Sequence, residues 1–484
     1  MRSTILILLI YFLSITSSKS QEMLGLVNGN YSGTSGVLIN PSSFTDSKLY
    51  LDVNIITAAA FFQNNYLYVA KRDYYFFYFF NSPMRFPKHE NNKVLYSNYP
   101  GALKHGYLNL RANGPGMMIN IGRHAFGFHE GFRAALSVRD APYHLSKFLW
   151  DGLDFKQQQD INYNVSNMRI AGMAWAEVGL TYSYVLFDRK MYHFSVGATA
   201  KRLMSVGGMY ITNHSMDYSV PSNDSMVINN IDAEMGYAMN GGSTFKGTGW
   251  GGDFGVTLKI KPRGNPPISF RKLCQQKYND YSVKIGLSLL DFGIIRFKKG
   301  ASVNTFENLS STWTNVDSLQ IRDYIKFRDQ MNLHFFNSAD PDISKTKDKF
   351  SISLPTAISL QADIHLQKHW YLNSTFFYGL QSSKTYVRRP AQLSFTPRWE
   401  SKFLELNIPV SLYEMRYPRL GASLRIGGLT VGTDKLAGYF DFNDFYGLDF
   451  YASLKFFLSK GSCSQRNWSI FKSLRTKIFK CRTF

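Results

Sequence analysis

The chain is 484 residues long, enough for one large domain or two to three ordinary ones, so core size is no constraint. Its mean hydropathy is −0.21 and no apolar run approaches the ~18 residues that a spanning helix needs, which excludes a helical membrane protein. Charged residues make 18% and Phe, Tyr and Trp 16%, which excludes a disordered or coiled-coil chain; three cysteines without a CxxC exclude a disulfide scaffold or a zinc ribbon.

Residues 1–20 carry Arg2, an apolar run from Ile5 to Leu13, then small and polar residues to Ser18-Lys19-Ser20, the order of a secretory signal peptide. The run is too short to span, and no cysteine follows it, so export without a lipid anchor is expected. The formal net charge of +21 suits a polyanion. For an exported chain the nearest is an outer-membrane lipid head group or lipopolysaccharide, and nucleic acid is not expected. The bases concentrate in the tail 461–484, where Arg466 to Arg482 contains no acid. A helix there would set Phe471, Leu474 and Ile478 on one side, as in a surface-lying segment; a disordered basic end fits equally. Cys463 and Cys481 are placed to pair in an oxidising compartment.

Between these ends the sequence alternates with period two. Leu49, Leu51, Val53 and Ile55 oppose Tyr50, Asp52 and Asn54, and Phe132, Ala134, Leu136 and Val138 oppose Arg133, Ala135, Ser137 and Arg139. From Ile352 to Gln367 one face reads Ile352, Leu354, Ile358, Leu360, Ala362, Ile364, Leu366. From Leu448 to Leu458 the apolar set opposes Asp449, Tyr451, Ser453 and Lys455. Similar runs occupy 174–186, 192–202, 252–261, 281–290, 403–411 and 419–426. Most approach the 9–11 residues of a strand that crosses a bilayer, longer than the five to six of a soluble sandwich. The expected fold is therefore all-β, a transmembrane antiparallel barrel over 47–460, with an exported β-sandwich as the other reading. Parity puts Arg133, Arg139, Glu177, Lys201, Asp253, Asp363, Arg425, Asp449 and Lys455 in a hydrated, self-neutralising lumen, and Leu136 against lipid. Tyr184, Tyr192, Tyr210, Tyr281, Trp370, Tyr371, Tyr386, Trp399, Tyr413, Tyr417 and Tyr446 flank the strands as a head-group girdle would.

Asp188-Arg189-Lys190 and Ser382-Ser383-Lys384 read as tight turns; the polar stretches 82–104, 205–248, 262–280 and 301–348 read as mobile loops or lumen inserts. One short helix is predicted after Ala141-Pro142, where Leu145, Phe148 and Leu149 share a face beside Trp150, in the lumen or at the rim. Asn40-Pro41 suits a constrained turn inside a lumen, and 21–46 is expected to be a plug or hatch on the resemblance given below. Phe148, Leu149 and Trp150 join Asn40 and Pro41 as the candidate ligand and plug residues.

Chemistry-bearing motifs are missing. The ten histidines form no HExxH, His124 and His129 face opposite ways on a strand, and Gly33-Thr34-Ser35-Gly36 is not a nucleophile elbow. Carboxylates on the polar faces lie far apart in sequence and suit ion pairing better than catalysis. No enzyme, cofactor or metal is expected.

Several short stretches carry a resemblance. Gly29-Asn30-Tyr31-Ser32-Gly33, Leu38-Ile39-Asn40-Pro41-Ser42-Ser43, Gly114-Pro115-Gly116-Met117-Met118, Glu177-Val178-Gly179-Leu180-Thr181-Tyr182, Gly197-Ala198-Thr199-Ala200-Lys201-Arg202-Leu203 and Arg425-Ile426-Gly427-Gly428-Leu429 resemble a family of Bacteroidota outer-membrane barrels of unknown function. That family in turn looks distantly like FadL-type fatty-acid transporters, which have an Asn-Pro-Ala/Ser motif in an N-terminal hatch. The resemblance implies about 14 strands and an N-terminal plug, integral in the outer membrane, and carries over no activity. Two functions stay open: passive transport or binding of hydrophobic small molecules, or a non-transporting scaffold that docks surface or secretion-machinery proteins. An apolar luminal pocket would favour the first, a sealed polar lumen with ordered external loops the second.

Overall fold

The computed structural model describes residues 22–70, 95–97, 103–153, 156–239, 244–262, 272–314, 316, 324–436 and 444–462. The expected signal peptide, most of 82–104 and the basic tail with Cys463 and Cys481 lie outside the described residues. Cys274 is disulfide-bonded.

Fourteen antiparallel strands close into a barrel. In chain order they are β1 (Leu49–Asn64), β2 (Lys104–Ile121), β3 (His124–Ala141), β4 (Arg169–Asp188), β5 (Tyr192–Ser222), β6 (Gly247–Ile260) and β7 (Val283–Phe297). β8 comprises Phe350–Ser353 and Ala357–Gln367, followed by β9 (Trp370–Gly379) and β10 (Gln392–Glu400). β11 comprises Leu404–Asn407 and Val410–Tyr413, β12 Tyr417–Leu420 and Ala422–Ile426, then come β13 (Leu429–Thr433) and β14 (Asp449–Ser459). Each pairs with the next, and β1 pairs with both β2 and β14, so no edge is left open. Short turns join β2–β3, β4–β5, β8–β9, β10–β11 and β12–β13 at one end, the periplasmic end by the usual asymmetry of such barrels.

Period-two sequence makes the wall. Leu180 is 64% exposed while Thr181 beside it is 3%, and Ile55, Phe254, Leu287, Leu360, Phe395 and Phe456 stand outward around the barrel in the same way. A continuous apolar outer belt over closed strands is the surface that hydrocarbon requires. Leu136 lies on this belt, opposite Leu108 of β2. Leu136→Arg is accordingly expected to lower stability and to weaken the heat-modifiable band on gels, whereas Leu136→Phe keeps it. Equal behaviour of the two variants would overturn the inside–outside assignment.

Several expectations are corrected. The stretches 205–248 and 301–348 are largely strands and a helix rather than loops. β5 runs on to Ser222 and pairs with Ser225–Ala238, which pairs with Ala301–Thr314. Two helices, Tyr143–Asp151 (α1) and Tyr324–Phe336 (α2), cover this sheet, and Phe148, Tyr218, Ile231, Phe306, Trp313 and Phe335 form its core. The result is an ordered cap beyond the long-loop end. Ser382-Ser383-Lys384 is no tight turn: residues 380–391 fold inward across the mouth. Of the aromatics read as a girdle, Trp370, Tyr192 and Tyr417 are exposed, but Tyr210, Tyr281, Tyr371, Tyr386 and Tyr413 are buried. Tyr281, for example, donates to the luminal Asp363 Oδ2 at 3.0 Å.

The β7–β8 wall is interrupted. The ladder runs from Val283–Ile364 to Leu290–Ala357, stops, and resumes at Ile294–Ser353, leaving 291–293 against 354–356. Pro355, which has no N–H to donate, sits in the gap, and Asp291 is left-handed at φ 50°. Parity reverses across it: Ile358 and Leu360 face lipid, but Ile352 and Leu354 are buried inside, contrary to the unbroken alternation read from sequence.

Candidate functional site

The lumen is filled in three layers. At the periplasmic end lies the plug, Glu22–Lys48, built of short turns of helix at Leu24–Val27 and Ser43–Asp46 and a 3-10 segment at Gly33–Leu38. Asn40 fixes its centre. The side-chain amide donates to Val256 O and Gln361 Oε1, both at 3.0 Å, while Oδ1 accepts from Ser42 N and Oγ at 3.0 and 2.6 Å. Pro41 O accepts from Ser183 Oγ at 2.6 Å. The turn lies on a floor of Gly197, Gly255 and Gly286 from β5, β6 and β7; a Cβ on Gly197 would come within 2.5 Å of the Pro41 carbonyl carbon and Ser42 N. Gly197→Val is expected to dislodge the plug while the barrel assembles, read as protease cleavage within 25–44 that the wild type resists. Continued resistance would show that the turn does not need this floor.

Ion pairs anchor the rest. Asp46 pairs with Lys259 and, at 3.2 Å, Lys284; Glu400 pairs with Lys48 at 2.8 Å and Arg398 at 3.0 Å. Lys455 donates to Tyr31 O and Ser32 O at 2.5 and 2.9 Å, and Asp52 accepts from Thr34 N and Oγ1 at 2.7 and 2.8 Å. Arg425 pairs with Glu405, and Asp363 with Arg398, each at 3.0 Å. Asp449 is buried on β14 opposite Phe61. From the periplasmic side, residues 272–282 fold back into this base, where Tyr281 and Lys284 donate to Asn30 Oδ1.

The second layer is a charge network centred on Asp291. Its carboxylate accepts from Arg133 at 2.8 and 3.1 Å, from Lys201 at 2.8 Å and from Arg389 at 3.3 Å, and its N–H donates to Asp253 Oδ1 at 2.7 Å. Lys201 also pairs with Asp253 at 2.7 Å and Arg133 with Glu177 at 3.3 Å. Arg389 comes from the inward loop and clasps Glu22 of the plug through Nε at 2.9 Å and Nη2 at 2.6 Å. In the low dielectric of a filled lumen each charge needs such a partner. A small void lies here, bordered by Glu22, Tyr107, Arg111, Arg133, Pro355 and Arg389, with room for ordered water.

The third layer is apolar. Phe61, Trp175, Leu203, Ile295, Phe297, Ile352, Leu354 and Tyr413 pack together in the upper lumen, with Val387 of the inward loop among them. That loop spans the mouth: Arg388 N donates to Ser137 Oγ at 3.3 Å, and Arg139 Nη1 to Tyr386 OH at 2.6 Å. Ser137 thus lies under a lid, not in the hydrated channel expected. Trp175 joins the layers, donating to Glu177 Oε2 at 3.0 Å with Arg133 over its ring.

The charged positions singled out from sequence meet inside the barrel, in the network (Arg133, Glu177, Lys201, Asp253), around the plug (Asp363, Arg425, Lys455), on the luminal wall (Asp449) or under the lid (Arg139). Phe148, Leu149 and Trp150 do not join Asn40 and Pro41. They sit on α1 of the cap, Phe148 in the cap core and Leu149 63% exposed, because β5 and its partners extend past the barrel and offer α1 an apolar face there. Missed were Asp291, Arg389 and Glu22. Their signals were an acid inside the apolar run Ile285–Ile295, and Arg388-Arg389-Pro390, too charged for a plain turn.

The closed wall, the apolar belt and the filled lumen define a plugged transmembrane β-barrel of the outer-membrane kind. The chain belongs to the Family of unknown function (DUF5723), whose model matches residues 41–434. No curated protein matches it. Among solved structures it is similar to a deletion mutant of the monoaromatic hydrocarbon channel TodX, at 8% identity over 92% of this chain and 99% of that one, TM-score 0.43. It is also similar to the Ralstonia pickettii toluene transporter TbuX, at 8% identity over 90% and 98%, TM-score 0.40. A Pseudomonas aeruginosa FadL homologue matches at 11% identity over 91% and 99%, TM-score 0.27.

Proposed function

We propose that this protein is a passive outer-membrane transporter of small hydrophobic molecules, held closed here. The observation that carries the reading is where the apolar upper lumen ends. Its floor is the charge network and the plug, both hostile to an apolar solute, while its side wall is the irregular stretch 291–293 against 354–356, where the ladder is reduced to Leu354 N donating to Gly293 O at 3.0 Å and Thr356 Oγ1 to Asp291 O at 2.9 Å, with Leu354 also in the apolar layer. A solute admitted by movement of the 380–391 loop meets a polar barrier below and lipid beside it, so the favourable exit is sideways. A second reading, a non-transporting scaffold, is favoured by the ordered cap with its own core.

Leu354→Glu places a charge on the exit. The expected result is uptake of a labelled aromatic hydrocarbon into proteoliposomes reduced at least about tenfold, with the heat-modifiable band retained, since partitioning a carboxylate there opposes passage by more than the ~1.4 kcal/mol that tenfold represents. Unchanged uptake would exclude the lateral path. Wild-type uptake no faster than that of empty liposomes would leave the scaffold reading.

A further inference from the structure

The lipid-facing wall carries few charges: Glu130 stands outward on β3, and the basic residues gather in one sector. On β5 to β7 the outward positions carry Arg202, Trp250 and Arg296, and the exposed Lys298 and Lys349 follow and precede the last β7–β8 rung, Phe297–Phe350. Arg202 is the ladder partner of Trp250, and Arg296 of Thr248, two residues along β6. Arg202 lies with its guanidinium 5.1 Å from the Trp250 ring centroid and donates to Gly249 O at 3.3 Å. Trp250 itself is 65% exposed. No carboxylate pairs with Arg202, Arg296, Lys298 or Lys349 among the described residues; the nearby Asp348 is taken by Lys345 at 2.7 Å.

Arginine on a lipid face costs about 2–4 kcal/mol at mid-bilayer and roughly 0–1 kcal/mol at the interface, so these side chains lie at head-group level, where an exposed tryptophan also belongs. They stand towards the long-loop end, which is the outer leaflet. Just below them Phe254 and Phe292 are exposed to hydrocarbon, so an occupant has both anionic groups and acyl chains. By strand spacing, Arg202 and Arg296 are roughly 12 Å apart, room for two separate phosphates. We propose that this sector binds the phosphorylated head group of an outer-leaflet lipid of the lipopolysaccharide type, Arg202 and Arg296 each taking a phosphate. Guanidinium groups suit this because they meet phosphate oxygens with paired N–H donors. The inference does not depend on the transport reading.

The test uses the full chain in phosphatidylcholine nanodiscs, titrated with lipopolysaccharide lacking the O-polysaccharide. The wild type is expected to bind it about tenfold more tightly than the double variant Arg202→Gln/Arg296→Gln, and dephosphorylated lipopolysaccharide to bind the wild type as weakly as the double variant binds the native lipid. Lys402→Gln, at the opposite end of the barrel, is expected to bind as the wild type does. The single variant Arg296→Gln supplies the comparison if the double variant fails to assemble. Equal binding by wild type and variants, or by phosphorylated and dephosphorylated lipid, overturns the site. Complete displacement by an equal concentration of inorganic phosphate overturns the lipid as its occupant.

Discussion

Asp291→Ala is expected to be the most damaging single change in the lumen, lowering stability by about 3–5 kcal/mol. The carboxylate is the shared acceptor for Arg133, Lys201 and Arg389, so its loss leaves three buried cations facing one another with Glu177, Asp253 and Glu22 to divide among them. Asn at the same position keeps a hydrogen-bond acceptor but not the charge, and should recover only part of the loss. Chemical unfolding from lipid vesicles measures both variants. The effect should not be limited to the wall: Arg389 holds the inward loop to the plug through Glu22, and without Asp291 it loses one of its two acids. Faster proteolysis of 380–391 in Asp291→Ala is therefore expected alongside the lower stability. If Asp291→Ala unfolds at the wild-type denaturant concentration, the network is solvated and the lumen is not the sealed interior described above.

Most of the wall was legible because membrane strands are long and each has one lipid face. Alternation over ten or more residues fixes which side chains point inward, and so placed Glu177, Lys201 and Asp253 together without any knowledge of their neighbours. The same rule failed where one residue breaks it. Pro355 cannot donate to the ladder, the chain slips past it, and Ile352 and Leu354 pass from the expected lipid face to the apolar upper lumen. Turn chemistry misled in a similar way: Ser382-Ser383-Lys384 has the composition of a tight turn, but Val387 is apolar and Arg389 has buried acids to meet, so the segment folds inward. The cap escaped notice because its strands stand clear of lipid and are polar overall; Asn162–Ser166 is only five residues long, with Tyr163 and Val165 alone on its apolar face. Asn40-Pro41 was readable as a constrained turn; its partners, Val256, Gln361 and three wall glycines, lie hundreds of residues away and follow only from closure of the barrel.

Deleting residues 25–44 should leave a barrel that still inserts but is open from below. The wall does not depend on the plug for pairing, since β1 to β14 close on one another by backbone hydrogen bonds. What the deletion removes is luminal: the bonds of Asn40 to Val256 and Gln361, of Thr34 to Asp52, of Asn30 to Glu400, and of the Tyr31 and Ser32 carbonyls to Lys455. Water entering the vacated space can hydrate Asp52, Lys455 and Glu400, so the cost is about 1 kcal/mol or less per lost bond and not that of buried unpaired charge. Planar-bilayer recordings should show clearly higher ion conductance than the intact chain. Hydrocarbon uptake should remain if the sideways exit carries it, because Leu354 and the apolar layer lie above the deletion. Unchanged conductance would mean that the charge network and the 380–391 loop seal the lumen by themselves. Loss of uptake together with a gain in conductance would place the hydrophobic path through the plug and remove the wall gap from the mechanism.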